Sequence, residues 1–467
     1  MPFFRSSLLL AAWLAVSAPA FAASARPTNF IVVMADDLGY GDVGFKGGKE
    51  IPTPHLDRLA AGGAVCTDAY VTFATCAPSR AGFITGRYPQ RFGFERNLAW
   101  QPNNPATGLP RSETTLPETL RPLGYRSGLV GKWHLGAHTS LHPLERGFDE
   151  FFGHIGGGKA YFPEDLVIRE TLDCRNEPDS YRAWLSRGRE PVRTRDYLTE
   201  ELTREALDFV RRQKHDPFFL FLAYNAPHGP LQAPSEELAK FAHIQNEKRR
   251  TYAAMVGVLD RGVGRLLDLL DELRLAEDTV VFFLSDNGGP PKDNASSNAP
   301  LRGGKASAYE GGIRVPFVVR WPGRIPAGLV YRAPVSSLDI FATIAATGRV
   351  PARTERPLDG VDLLPLLRGE KTAPADRRIF LRMFDTGRLA MREGDYKIVR
   401  NGKNEPLALY HLATDLSEST DLSAAEPQRL ARMNAAYEAW AAELVEPAFA
   451  GLDMREWAAP QAPLTRK

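Results

Sequence analysis

Cysteine is scarce in this chain, with three residues in 467: Cys66, Cys76 and Cys174. So few thiols exclude a small scaffold stapled by disulfides. An excess of one charge is missing too. Lys and Arg number 58 against 56 Asp and Glu, a net charge of +2, and there is no long basic block. Nothing in that balance points to a nucleic-acid partner. Beyond residue 25 no stretch of about twenty apolar residues occurs, so stable membrane insertion is not expected. Internal repeats and low-complexity tracts are absent, apart from the N-terminal segment. The whole chain is 43% hydrophobic and 24% charged. That composition suits a globular protein with one large core and a smaller appended unit.

The first 25 residues differ from the rest. Met1 to Arg5 carries one positive side chain, Leu8 to Val16 is apolar, and small residues end in Ala23-Ser24-Ala25. This is the layout of a cleaved secretory signal, with an alternative cut before Phe21. It predicts use of the export machinery and a periplasmic or secreted location. In an exported protein an odd cysteine count leaves at least one thiol unpaired or chemically altered. Cys66 and Cys174 either pair or remain buried thiols, which leaves Cys76 to be explained.

Asn29 to Met34 is an apolar run ending abruptly at Ala35-Asp36-Asp37. It reads as a buried strand of a parallel sheet with a polar payload at its carboxyl end. Helices are expected over 55–61 and 115–123, and a strand over 125–130 leading into Gly131-Lys132-Trp133-His134. A helix over 198–212 precedes a strand over 217–224 and the loop Ala226-Pro227-His228-Gly229-Pro230. A long helix over 247–273 precedes a strand over 279–284 and Ser285-Asp286-Asn287-Gly288-Gly289. Strands alternating with helices predict an α/β fold: a large, mostly parallel central sheet flanked by helices. Segments 97–114, 155–195 and 289–304 lack periodicity and read as rim loops. Short strands at 378–382, 389–392 and 396–399, then a helix over 427–444, predict a small C-terminal antiparallel sheet plus helix. The expected divisions are a signal at 1–25, a catalytic domain at 26–370, a subdomain at 371–449 and a tail at 450–467.

Two adjacent acids at one strand end, Asp36-Asp37, and Asp286-Asn287 at another offer four oxygen donors. Together they suit a hard cation of the calcium or magnesium type. Alone, Asp36-Asp37 also reads as a solvated acidic turn, and Asp286-Asn287-Gly288-Gly289 as a common turn sequence. In Cys76-Ala77-Pro78-Ser79-Arg80 a nearby cation can lower a thiol pKa, and a helix starting over Ala81 to Ile84 would favour anions. An isolated cysteine there also reads as a buried core thiol.

The run Cys76-Ala-Pro-Ser-Arg80, continued by Ala81-Gly-Phe-Ile-Thr85-Gly86-Arg87, resembles the signature of the type I, formylglycine-dependent sulfatases of the alkaline phosphatase superfamily. Asp36-Asp37-Leu-Gly-Tyr-Gly-Asp42, Pro54-His55-Leu-Asp57-Arg-Leu59, Gly131-Lys132-Trp133-His134-Leu-Gly136 and Gly147-Phe-Asp-Glu-Phe-Phe152 resemble other blocks of that family. So do Pro227-His228, Asp286-Asn287-Gly-Gly289, Lys305, Glu310-Gly-Gly-Ile-Arg-Val-Pro316 and Leu409-Tyr-His-Leu412. The texture is most similar to the arylsulfatase and N-acetylgalactosamine-sulfatase group.

This resemblance implies that a maturation enzyme, reading Pro78 and Arg80, oxidises Cys76 to formylglycine. Asp36, Asp37, Asp286 and Asn287 would hold a calcium ion together with residue 76. Arg80 and Lys132 would orient the modified side chain, and His134, His228 and Lys305 would complete the sulfate pocket. In the implied reaction a formylglycine diol, deprotonated by Asp286, attacks sulfur to give a covalent sulfate ester. His228, with Lys305 nearby, protonates the leaving alcohol, and His134 then deprotonates the second hydroxyl. The implied substrate is a sulfated carbohydrate or an aryl sulfate.

The chain departs from the family in Gly153-His154-Ile-Gly-Gly-Gly158, where no serine is available to touch the sulfate. His154 is the candidate in its place. Arg175, Tyr181, Trp184 and Arg187 are candidates for gripping a sugar. The rival readings are a phosphatase or phosphonate monoester hydrolase of the same superfamily, and an inactive protein that binds sulfated glycans. Asn287, where phosphoryl-transfer relatives tend to carry histidine, favours a sulfate ester. A cysteine-nucleophile hydrolase would leave the lysines and the metal-type oxygens unexplained.

Overall fold

The computed structural model describes residues 27–351, 356–374 and 376–452. The expected signal segment, and the expected tail beyond Leu452, lie outside the described residues. Strands are numbered in chain order. In the first half they are β1 (Asn29–Ala35), β2 (Ala64–Cys66), β3 (Ala69–Tyr70), β4 (Arg126–Lys132), β5 (Glu150–His154), β6 (Leu185–Arg187) and β7 (Glu190–Val192). Next come β8 (Phe218–Ala223), β9 (Thr279–Ser285), β10 (Phe317–Arg320), β11 (Leu329–Tyr331) and β12 (Val335–Ser336). The last four are β13 (Arg378–Met383), β14 (Arg388–Glu393), β15 (Tyr396–Arg400) and β16 (Ala408–His411).

Ten strands form one sheet in the order β11-β2-β10-β9-β1-β8-β4-β5-β6-β7. The central run from β9 to β5 is parallel. β1, β8 and β9 are apolar along nearly their whole length because both faces are covered: every residue of these three strands is buried. Alternation along β1 shows the two layers. Phe30, Val32 and Met34 enter one core with Ala81, Phe83 and Ile344, whereas Ile31, Val33 and Ala35 enter another with Leu202, Met255 and Leu259. Helices Cys76–Thr85 and Leu338–Thr347 therefore cover one face, and Leu198–Gln213 and Glu247–Glu272 the other. Truncating one such core side chain to alanine costs about 2–5 kcal/mol.

β13 to β16 form a separate antiparallel meander. Helix Pro427–Ala441 lies on it through Met433, Tyr437 and Trp440. Trp440 stacks on Phe380 at 4.6 Å and meets Tyr88 of the main body edge-on at 5.3 Å. This is the expected small sheet with its helix, docked by aromatic contact.

Several local expectations differ from the structure. The helix after the cysteine motif begins at Cys76 itself, not at Ala81. Lys132 is the last residue of β4 and not part of a loop. The helix expected over 115–123 is α-helical only over Leu116–Leu120, started by a Thr115–Glu118 capping box, and it tightens to a 3-10 turn over Arg121–Leu123. Segment 155–195 is partly ordered: it holds a short helix, Glu177–Ser180, and the β6–β7 hairpin extends the main sheet. β16 was not expected as a strand, and the last helix stops at Ala441. Cys66, Cys76 and Cys174 are all unpaired and buried, so the possible Cys66–Cys174 disulfide does not form. Among the described residues no helix is long and apolar enough to cross a membrane.

Candidate active site

The parallel strands place their carboxyl ends along one edge, where open α/β sheets bind ligands. β1 delivers Asp36 and Asp37, β9 delivers Asp286 and Asn287, β4 ends in Lys132, and the segment after β8 brings His228. Gly131 makes the β4–β8 contact possible. Its φ is +115°, and a Cβ there would lie 1.9 Å from the Ala223 carbonyl oxygen. Only glycine permits that approach. Asp37 and His134 also sit at positive φ, 66° and 57°. Left-handed backbone at non-glycine residues costs about 1 kcal/mol or more each, and such strain clusters at functional sites.

Cys76 is the first residue of a ten-residue helix, so it sits at the positive end of the helix dipole. Its Sγ lies 3.6 Å from Asp36 Oδ1. Ligand atoms of Asp36, Asp37, Cys76 and Asp286 all fall within 4.8 Å of one another. Each carboxylate has its own cation. Lys132 Nζ donates to Asp36 Oδ2 at 2.7 Å and Lys305 Nζ to Asp37 Oδ2 at 2.7 Å. Arg80 donates through Nε and Nη2 to Asp286 Oδ2 at 3.0 and 2.8 Å. Asn287 Nδ2 donates to Asp37 Oδ1 at 2.6 Å, while Asn287 Oδ1 is buried with no partner. An orphaned amide oxygen beside three carboxylates is the donor set of a hard divalent cation. The residues present fit calcium. Three cations already offset the three carboxylates, so a bound divalent ion would add two positive charges to the cluster.

Electrostatics follow this pairing. Burial alone would raise Asp37, but Lys305 and His228 outweigh it and hold the carboxyl at about 2. Burial and the neighbouring Asp36 push Asp286 up to about 6 against Arg80 and Lys132. Burial would also raise Cys76, yet Lys132 and Lys305 bring the thiol down to about 7. His134 is held well below the usual imidazole range by burial and by Lys132 and Arg80, so it is neutral. His228 is raised: the carboxylates Asp36 and Asp37 outweigh its burial. Its Nε2 lies 3.7 Å from Asp37 Oδ2, and its Nδ1 donates to the Gly229 carbonyl at 2.6 Å.

All ten residues named from the sequence thus converge on the carboxyl edge of the sheet. The weaker candidates divide. His154 ends β5 in register with Lys132, buried and kept neutral by burial and by Lys159 and Lys132. Tyr181 reaches the site, with its ring 6.4 Å from that of His228. Trp184 is tied to the Leu166 carbonyl at 3.0 Å, and Arg187 pairs with Glu205 and covers Phe152. Arg175 stays on the exposed surface, its backbone N–H bonded to Asp179 at 3.0 Å.

Two groups escaped sequence reasoning. Asn97 Oδ1 accepts the Ala77 N–H in the first turn of the cysteine helix at 3.1 Å. Glu177 accepts the Gly157 N–H, and a Cβ on Gly157 would sit 2.9 Å from both Glu177 Oε1 and His134 Nε2. The glycine run therefore serves close packing, Gly157 against Glu177 and His134, Gly156 against Ser180 and Gly158 against Tyr181. Asn176 capping Asp179, with Pro178 in the first turn, was the available signal for the Glu177 helix.

A family model described as Sulfatase matches residues 28–348. This chain is a member of the sulfatase family. The sulfatase is 38% identical to the N-acetylgalactosamine-6-sulfatase of Canis lupus familiaris over 398 residues, 80% of this chain and 72% of the relative. It is 35% identical to the steryl-sulfatase of Homo sapiens over 418 residues, 74% and 70% of the two chains. The structure of Ps i-CgsB, solved with k-i-k-neocarrahexaose, superposes with a TM-score of 0.87 at 36% identity, covering 93% of this sulfatase and 98% of that chain. The sulfatase is accordingly a hydrolase of sulfatase type.

Proposed function

We propose that this sulfatase removes sulfate from a sulfated carbohydrate or aryl sulfate, using Cys76 in its formylglycine form as the nucleophilic residue. The observation that carries the reading is Cys76 at a helix N-terminus, inside a ring of three carboxylates each paired to its own cation. Calcium held by Asp36, Asp37, Asp286, Asn287 and residue 76 would supply Lewis-acid charge at that ring.

The chain's own groups divide the remaining work. Asp286, raised to about 6, accepts the proton of the attacking hydroxyl. Arg80, Lys132 and Lys305 hold the charge on the transferring sulfate oxygens. His228 donates its Nδ1 proton to a carbonyl, which leaves Nε2 to protonate the departing oxygen. His134, neutral and with an unpartnered Nδ1, is the base that readies residue 76 for the next turnover. Tyr181 lines the leaving-group side.

A glycan substrate is supported by the N-acetylgalactosamine-6-sulfatase relatives and by the oligosaccharide complex of Ps i-CgsB. Export by the N-terminal segment and maturation at Pro78 and Arg80 belong to the same reading. The decisive experiment is sulfate release from a panel of defined sulfated saccharides, using protein shown by intact mass to be modified at residue 76. Cys76→Ala is expected to keep the fold and lose turnover. Wild-type activity in that variant would overturn the mechanism.

A further inference from the structure

A shelf opens at the start of the cysteine helix, between the main body and the C-terminal sheet. Its cavity of about 190 Å³ is lined by Thr75, Arg96, Asn97, Phe384 and Asp385, with Leu452 at one end. Thr75 immediately precedes Cys76, and Asn97 holds the Ala77 N–H, so the shelf begins one residue from the reacting position.

Phe73, Met383 and Leu452 add apolar lining to the shelf, and one aromatic ring stands exposed on it. Phe384 is 41% exposed and is the one aromatic among the exposed large hydrophobic side chains of the described residues. The ring is held in place. The Phe384 N–H donates to buried Glu95 at 3.2 Å, Arg382 donates to the same carboxylate at 3.0 Å, and the Arg382 guanidinium lies 5.7 Å from the ring centroid. Beside it Arg96 and Asp385 form a two-pronged ion pair at 2.8 and 2.6 Å. Arg96 also donates to the Phe449 carbonyl at 2.7 Å. Its charge is already matched, so the shelf has no surplus positive charge with which to capture a free anion.

We infer that this shelf is a saccharide subsite, seating the sugar unit adjacent to the one that carries the scissile sulfate. A pyranose offers an apolar C–H face and a rim of hydroxyls. Phe384 takes the first, and Arg96, Asn97 and Asp385 supply donors and acceptors for the second. The cavity is smaller than the roughly 300–1,000 Å³ of a full ligand pocket, so it takes one ring and not an oligosaccharide. The inference rests on the sulfated-glycan reading above.

The test compares Phe384→Ala with wild type on 4-nitrophenyl sulfate, a sulfated monosaccharide, and the matching di- and tetrasaccharides. An aromatic contact is worth about 0.5–1.5 kcal/mol. KM for the longer saccharides should therefore rise roughly three- to tenfold more than KM for the aryl sulfate and the monosaccharide. Phe384→Trp should restore the longer substrates. Equal changes on all four substrates, or none, would overturn the subsite. Calorimetric titration of the same variants with the tetrasaccharide separates the two readings. If the sulfatase reading fails, modified wild type releases no sulfate; if the shelf fails, Phe384→Ala binds the tetrasaccharide with the wild-type Kd.

Discussion

Glu418 accepts the backbone N–H of Glu310 at 2.7 Å, across 108 residues of chain. The Glu418 carbonyl takes the Arg302 guanidinium at 2.7 Å, and Asn401 Oδ1 takes the Ala308 N–H at 2.8 Å. Both ends of segment 302–310 are thus gripped by residues of the C-terminal unit. From its middle Lys305 reaches Asp37, while the Lys305 N–H goes to the Gly289 carbonyl and the Ala306 N–H to the Ala74 carbonyl. The small sheet is part of the scaffold that aims an active-site cation.

Removing one of these grips should therefore cost turnover through Lys305. Asn401→Ala is expected to lower kcat/KM about tenfold, consistent with the steep dependence of rate on small misplacements. Asn401→Asp, which keeps the acceptor, should retain activity. In a Lys305→Ala background Asn401→Ala should add no further loss. Full additivity in that cycle would show that Asn401 does not act through Lys305.

If His228 protonates the leaving oxygen, its loss should matter in proportion to how poorly that oxygen leaves. His228→Ala is expected to cost about 10²–10⁴-fold on an alkyl or sugar sulfate. Little loss is expected on 4-nitrophenyl sulfate, whose leaving group is stable as the anion. A uniform loss across leaving groups, measured as kcat, would reassign the proton donor.

Calcium removal is expected to abolish turnover and lower the melting temperature. At free calcium one hundred times Kd, binding contributes about 2.7 kcal/mol. Dialysis against a chelator followed by calorimetry reads both effects, and adding calcium back should restore them. Chelated protein that melts and turns over as before would remove the cation from the site.

Acid should loosen the C-terminal sheet. Burial would raise Glu310, but Lys397, Arg314 and Arg392 outweigh it and hold it at about 2. A carboxyl depressed in the folded state stabilises above its unfolded pKa of about 4.3 and loses that contribution as pH falls toward the folded value. Glu418 shares Lys397 at 2.9 Å but is raised by burial against the pull of Lys397, so it protonates first and leaves Glu310 as the anionic partner. The melting temperature should fall between pH 4.5 and 2 more steeply in wild type than in Glu310→Gln. Parallel curves would place the acid sensitivity elsewhere.

Much of this sulfatase was legible because its chemistry is concentrated at strand ends. Apolar runs such as Phe30 to Met34 identify buried parallel strands, and each change from apolar to charged residues marks a site position. Asp36, Asp37, Asp286 and Asn287 were readable for that reason, as was Cys76 from its motif. Segment 155–195 was not, because Lys159 donates to the Ser180 carbonyl and Gly157 to Glu177, 21 and 20 residues apart, contacts that leave no period in the chain. The start of the helix at Cys76 was also missed. Thr75 makes no side-chain cap, and Asn97 satisfies an amide of the first turn from 20 residues away.

The sequence alone picked out ten of the side chains that the fold gathers at the strand ends, since burial on both faces and a polar strand terminus are local properties of the chain. Pairing was decided by tertiary structure: Lys132 with Asp36, Lys305 with Asp37 and Arg80 with Asp286. Those partners lie 96, 268 and 206 residues apart, and the parallel strands β9, β1 and β4, the cysteine helix and the grip of the C-terminal unit on segment 302–310 together bring them within hydrogen-bond reach. The same folding sets Phe384 beside the start of the cysteine helix. Neither relation leaves a mark on local composition, because a long-range contact constrains the position of a side chain and not its neighbours in sequence.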